Sequence, residues 1–100
     1  MNKLRRKAIR NIIAKLQLIN SKEALGECIN DLEDVLDEES ESFENIPENL
    51  QDSQRAIDSE NAIGTLEDVI DELNDAYDSD DEDEWKDAAE YACDELAAIL

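Results

Sequence analysis

The chain has no histidine, one proline (Pro47), two glycines, two cysteines and four aromatic residues in 100 positions. Each scarcity excludes something. Without histidine the most usual general base and the commonest transition-metal ligand are both missing, and no glycine-rich phosphate loop or P-loop lysine occurs. Carboxylate pairs abound, but on a helix surface in water they are ordinarily solvated, so a non-enzymatic protein with no catalytic residue, no cofactor and no metal centre is expected. Cys28 and Cys93 are too few for a disulfide framework. Each lies among apolar residues at helical spacing and reads as a small buried hydrophobe. Long apolar runs are lacking too: "NIIAKLQLI" is interrupted by Lys15 and Gln17, whereas a membrane span needs roughly 20 apolar residues. With no secretory leader pattern either, the expectation is a soluble protein of the reducing cytoplasm.

What is present points to helices. Hydrophobic residues make up 41% of the chain and are mostly Leu, Ile, Val and Ala, with little turn or sheet punctuation between them. One hundred residues suit one domain, 1–100, with one modest core. Charge then divides that domain. Residues 1–22 hold seven basic residues (Lys3, Arg5, Arg6, Lys7, Arg10, Lys15, Lys22) and no acidic one, while residues 23–100 hold all 29 acids against Arg55 and Lys86, a balance of −27. A basic amphipathic arm thus precedes an acidic body. Such a body repels nucleic acid and anionic membrane, and attracts basic protein surfaces or the arm of another copy.

Apolar periodicity resolves three helical patterns. Ile9, Ile12, Leu16 and Ile19 open the first, and Leu25, Cys28, Ile29, Leu32, Val35, Leu36 and Phe43 continue it. Leu18, Leu25 and Leu32 keep a strict heptad across the junction, which favours one helix over residues 2–42. The competing reading is a break at Asn20, where "NSKE" offers a cap and Glu23 three residues later. Pro47 then ends the helix upstream, and Phe43, Ile46 and Leu50 fold over the end of the core. Asp52 or Ser53 caps a second helix with the stripe Ile63, Leu66, Ile70, Leu73, Tyr77. Gly64 inside it suggests a close helix approach. A third helix carries Trp85, Ala89, Ala92, Leu96 and Ile99.

Between the last two lies "DSDDEDE", residues 78–84. Asp78, Asp80 and Glu82 alternate as early calcium ligands would, but the sixth position is Asp83 where glycine is needed and the twelfth is Ala89 where a bidentate Glu is needed. The run is read as a helix-capping acidic segment. "LEDVLDE" at 32–38 returns as "LEDVIDE" at 66–72, 34 positions later. In both copies the aliphatic residues share one helical face while Glu33, Asp34, Asp37, Glu38 and Glu67, Asp68, Asp71, Glu72 face away. An antiparallel pair with its aliphatic stripes together and two acidic surfaces outside is predicted. A tetratricopeptide array, which has the same period, lacks its Trp, Gly and Ala signature here.

Helix lengths add a further expectation. At 1.5 Å per residue the first helix is roughly 60 Å long, the second about 38 Å and the third about 22 Å. The basic arm is left uncovered, with Ile9, Ile12, Ile13, Leu16 and Ile19 exposed in a way soluble monomers seldom tolerate. A symmetric homodimer through these five residues is the leading reading. The alternatives are an arm that folds back on its own chain, or a membrane or hetero-partner role for the amphipathic segment. The fold class is therefore all-α: an antiparallel, coiled-coil-like bundle with a long first helix and two shorter ones, dimeric.

The string "ENIPENLQDSQR" at 44–55, between a basic-then-acidic helix and a second acidic one, resembles small acidic helical proteins of bacteriophages and prophages that lack an established activity. The resemblance transfers no catalytic residue and implies a bacterial host cell. In surface alone the chain is similar to DNA-mimicking inhibitors of restriction or CRISPR nucleases. That likeness implies a partner-binding surface of Glu33, Asp34, Asp37, Glu38, Glu67, Asp68, Asp71, Glu72, Asp78, Asp80 and Asp81, facing a basic DNA-binding or nuclease protein. The alternatives are acidity that serves only solubility, and a homodimeric adaptor, scaffolding or regulatory protein acting through the arm.

Overall fold

Two apolar stripes that disagree in phase decide how the N-terminal half folds. At 100° per residue, the stripe Ile9, Ile12, Leu16, Ile19 and the stripe beginning Leu25, Cys28, Ile29, Leu32 point about 170° apart on one continuous helix. One uninterrupted helix could therefore bury only one of them. A computed structural model describes all residues, 1–100, and it breaks the helix. The chain forms α1 (Lys3–Gln17), α2 (Lys22–Glu44), a single 3₁₀ turn (Glu48–Leu50), α3 (Gln54–Ser79) and α4 (Glu82–Ala98). The expected 2–42 helix is thus two helices, and the bundle has four helices where three were expected. The cap is Ser21, not Asn20: its hydroxyl accepts from the Ala24 N–H at 3.1 Å.

Magnitudes explain why the break wins. Forfeiting about four net backbone hydrogen bonds at the turn costs roughly 2–6 kcal/mol. Burying Ile9, Ile12, Leu16 and Ile19 returns roughly 6–12 kcal/mol, and all four are buried.

The four helices run up and down with short connections and share one core. α1 packs on α2 and α4, and α3 packs on α2 and α4, so α1 and α3 are diagonal neighbours. The bundle measures 47 × 21 × 18 Å. No helix is long and apolar enough to cross a membrane. Pro47 ends α2 as expected, and Ile46 is buried under the end of the core; Leu50, expected beside it, is half exposed. Ser53 caps α3 by accepting from the Ala56 N–H. Asp80 closes α3 in the left-handed region (φ 57°), and Asp81 caps α4.

The close helix approach falls at the other glycine. A Cβ on Gly64 would meet nothing within 4 Å, whereas one on Gly26 would stand 3.2 Å from the Tyr77 ring. That ring lies under the Lys22 ammonium, 4.6 Å from its centroid, and Lys22 donates to Asp80 at 2.8 Å. Together these contacts tie the start of α2 to the end of α3. At the opposite end, the Ser59 hydroxyl donates to Glu39. Antiparallel counting from that bond sets Leu32 level with Leu66 and Leu25 level with Leu73. The repeated heptads thus meet at their leading leucines, while chain direction carries Val35 and Val69 toward opposite ends.

Candidate functional site

The eleven carboxylates nominated from the sequence are all exposed: Glu33, Asp34, Asp37 and Glu38 on α2; Glu67, Asp68, Asp71, Glu72 and Asp78 on α3; Asp80 and Asp81 in the turn before α4. Helix phase puts them there. The buried sides of α2 and α3 are occupied by Leu32, Val35, Leu66, Val69 and Ile70, and at 100° per residue the carboxylates of both heptads fall roughly 95° or more away from that side. Asp80 is the only one of the eleven held in an ion pair, with Lys22 at 2.8 Å. The others face water as unpaired charges. Residues 78–84 provide the last turn of α3, the left-handed residue and the α4 cap, and no group of three or more His, Cys, Asp or Glu is arranged to hold a metal ion.

The surface continues beyond the nominated set. Glu41 and Asp75 extend the α2 and α3 ridges by one turn, and Asp87, Glu90 and Asp94 line the outer side of α4. Three of the four helices thus present acidic outer faces. The whole bundle carries −20 along a 47 Å axis, or about one charge per 2.4 Å, against one per about 1.7 Å of axis for duplex DNA; the negative charge is concentrated on α2, α3 and α4, since residues 23–100 hold 29 acidic against two basic residues.

The five residues expected at a dimer interface are placed differently. Ile9, Ile12, Leu16 and Ile19 belong to the chain's own core, and Ile13 is half-buried against it. α1 is covered by α2 and α4 of the same chain, which was the fold-back alternative. The excess helix length that called for a second copy disappears once the break folds α1 back.

Sequence reasoning missed one charged group altogether. Glu39 lies inside the bundle end, 1% exposed. Its Oε1 accepts from Arg5 Nε at 2.8 Å, its Oε2 accepts from Ser59, and the Met1 nitrogen stands 3.8 Å from Oε2. A buried carboxylate needs such partners. The signal was present, because Glu39 is the next heptad position after Leu25 and Leu32, just as Ser59 precedes Leu66 and Leu73 by sevens. Its role is to join α1, α2 and α3, at the edge of a depression lined also by Ser42 and Arg55.

Both thiols are quiet. Burial pushes Cys28 up to about 11, and burial likewise raises Cys93, whose Sγ donates to the Ile13 carbonyl at 3.7 Å. Neither supplies a thiolate nucleophile near neutrality.

The architecture defines the class: an all-α, antiparallel four-helix bundle with one basic and three acidic outer faces. Compared with protein-family models, with curated proteins and with solved structures, the chain matches none.

Proposed function

We propose that this protein is a non-enzymatic acidic decoy that occupies the phosphate-binding groove of a bacterial nucleic-acid-binding defence protein, a nuclease of the CRISPR or restriction kind, in the cytoplasm of a phage-infected cell. The supporting observation is the set of three acidic outer faces, on α2, α3 and α4, which give the bundle a net charge of −20 along a 47 Å axis, a linear density somewhat below that of duplex DNA, with the charges on rigid helices. A groove shaped for a phosphate backbone would release its bound anions to this surface as it does to DNA. Fixed carboxylates on a bundle also spare the target the ordering cost that a flexible acidic tail imposes.

The adaptor alternative has lost its apolar contact surface to the core and keeps only the charged outer face of α1. The decoy is tested by affinity capture from a bacterial lysate, followed by competition of the captured protein with duplex DNA across a salt series. Binding should weaken steeply with salt. Changing Glu33, Asp34, Glu67 and Asp68 to Gln or Asn should lower competition while leaving helical content unchanged, since none of the four touches the core. A variant that competes as well as the parent, or capture of no DNA-binding protein below about 50 mM salt where screening is weakest, would refute the decoy.

A further inference from the structure

Nine basic residues stand among 29 acidic ones, yet several have found no partner. Arg5, Lys15, Lys22 and Lys86 form ion pairs with Glu39, Asp31, Asp80 and Glu82. Lys3, Arg6, Lys7 and Arg10 form none, and all four are exposed. They are spaced 0, 3, 4, 7, which is one outward ridge of α1 on the side away from Ile9, Ile12 and Leu16. The acidic ridges repeat that spacing: Asp34, Asp37, Glu38, Glu41 on α2 and Asp68, Asp71, Glu72, Asp75 on α3, all exposed. Each ridge runs about 10 Å, so a cationic ridge and an acidic one match in length and in charge step.

The acidic ridges differ in how free they are. Glu38 and Glu41 share a surface depression with Arg5 and Arg55, and Asp34 and Glu38 line a groove with Lys15, so α2 is partly neutralised from within. On α4 the same spacing holds Asp87, Glu90 and Asp94 with Tyr91 in the third place, and Lys86 stands beside them. Only α3 presents four carboxylates with no basic residue alongside. It is also the helix diagonal to α1.

We infer that the α1 ridge Lys3, Arg6, Lys7, Arg10 docks on the α3 ridge Asp68, Asp71, Glu72, Asp75 of a second copy of this chain. Because the two ridges lie on opposite sides of the bundle, the contact is head-to-tail and leaves each end free to recruit another copy. It does not rest on the decoy reading, but it uses Asp68, Asp71 and Glu72 of the same acidic body, so a basic groove seated there would compete with the second copy. The attraction is local, while the net charge of −20 on each copy opposes approach over the whole molecule. At physiological ionic strength the screening length is about 8 Å, shorter than the 18–21 Å thickness of the bundle, so remote repulsion is damped and the ridge contact survives. At about 0.01 M salt screening extends to about 30 Å and repulsion dominates; at about 1 M it shrinks to about 3 Å and the ridge attraction is lost. Association therefore peaks at intermediate salt. Exposed ion pairs are individually weak, which places it at high protein concentration.

Sedimentation equilibrium of the whole chain over a concentration series at low, intermediate and high salt tests this. The weight-average mass should rise above 11.3 kDa with concentration, most at intermediate salt. Two neutralised variants locate the contact: Lys3→Gln, Arg6→Gln, Lys7→Gln, Arg10→Gln in one, and Asp68→Asn, Asp71→Asn, Glu72→Gln, Asp75→Asn in the other. Each alone should stay monomeric with unchanged circular dichroism, and their mixture should form a one-to-one pair that grows no further. A parent that stays monomeric throughout, association that strengthens steadily with salt, or a mixture that remains monomeric would each overturn the inference. So would binding of short duplex DNA by the parent that is lost in the first variant, which would assign the ridge to phosphate instead.

Discussion

Arg5→Met isolates the carboxylate that the bundle hides. Glu39 is 1% exposed, and the Arg5 side chain that covers it is 13% exposed, so the pair is neither a surface ion pair nor fully cut off from water. Breaking a buried pair from one side costs about 3–5 kcal/mol, because a charge remains without its counterion. Here Ser59 still donates and water can reach the vacated edge, so about 2–4 kcal/mol is expected. For a chain of this size, total stability is about 5–15 kcal/mol. The melting temperature should fall by roughly 8–32 °C, at about 4–8 °C per kcal/mol. Arg5→Met with Glu39→Met and Ser59→Ala removes the three side-chain members of the cluster and fills the volume with apolar atoms, leaving only the Met1 nitrogen, 3.8 Å from the former carboxylate, without a partner. It should recover most of the loss seen in Arg5→Met. Urea unfolding followed by circular dichroism, arranged as a double-mutant cycle, reads the Arg5–Glu39 coupling directly. A coupling under about 0.5 kcal/mol, the value of an exposed pair, would mean that the carboxylate is solvated and the reasoning wrong.

The remaining expectations use the same assay. Gly64→Ala should stabilise α3 by about 0.5–1 kcal/mol, since helix propensity improves and no atom stands in the way; Gly26→Ala should be net destabilising, because Tyr77 is held under Lys22 and leaves the new methyl 3.2 Å from its ring. Stability should fall as pH rises above about 9: burial raises the Cys28 thiol to about 11, so the unfolded chain ionises first and is favoured through that window. Lys15 and Lys22 are raised by their hydrogen bonds to Asp31 and Asp80, and their contributions are lost as pH climbs through the folded values; Cys28→Ala should lessen the earliest part of the decline, which Cys93, also raised by burial, shares. Trp85→Phe should be neutral or stabilising by up to about 1 kcal/mol, because the buried indole N–H has no acceptor.

The helical class, the Pro47 stop, the Ser53 cap and the outward direction of both acidic heptads could be read from residue periodicity. Those features depend only on neighbours three or four positions away. The break at residues 18–21 was equally written in the sequence, but in the relation between two stripes rather than within either one. The heptad Leu18, Leu25, Leu32 argued for continuity, yet Leu18 proves to be 80% exposed and the α1 stripe that matters is out of phase with it. Glu39 and Ser59 were overlooked because a charged or polar residue on an apolar heptad reads as the end of the stripe. Only the packed bundle shows that the two meet each other and Arg5. Which glycine is close-packed depends on where Tyr77 arrives from another helix, and no local pattern contains that.

Ser21→Ala separates the two explanations for the break. If the capping hydroxyl, 3.1 Å from the Ala24 nitrogen, were what interrupts the helix, its removal would let α1 and α2 fuse, since Leu18, Ile19 and Asn20 include no glycine or proline. If phase decides, the variant should lose only the cap, about 1 kcal/mol, and keep its shape, because fusion would expose Ile9, Ile12, Leu16 and Ile19 at a cost of roughly 6–12 kcal/mol. Small-angle scattering distinguishes the outcomes. The folded bundle has a Cα radius of gyration of 14.0 Å and a longest axis of 47 Å, whereas a fused helix over residues 3–44 alone would extend roughly 60 Å. The variant should scatter like the parent at low protein concentration and intermediate salt. A longest dimension beyond about 60 Å there, with helical content preserved, would show that the cap and not the stripe phase holds α1 in the core.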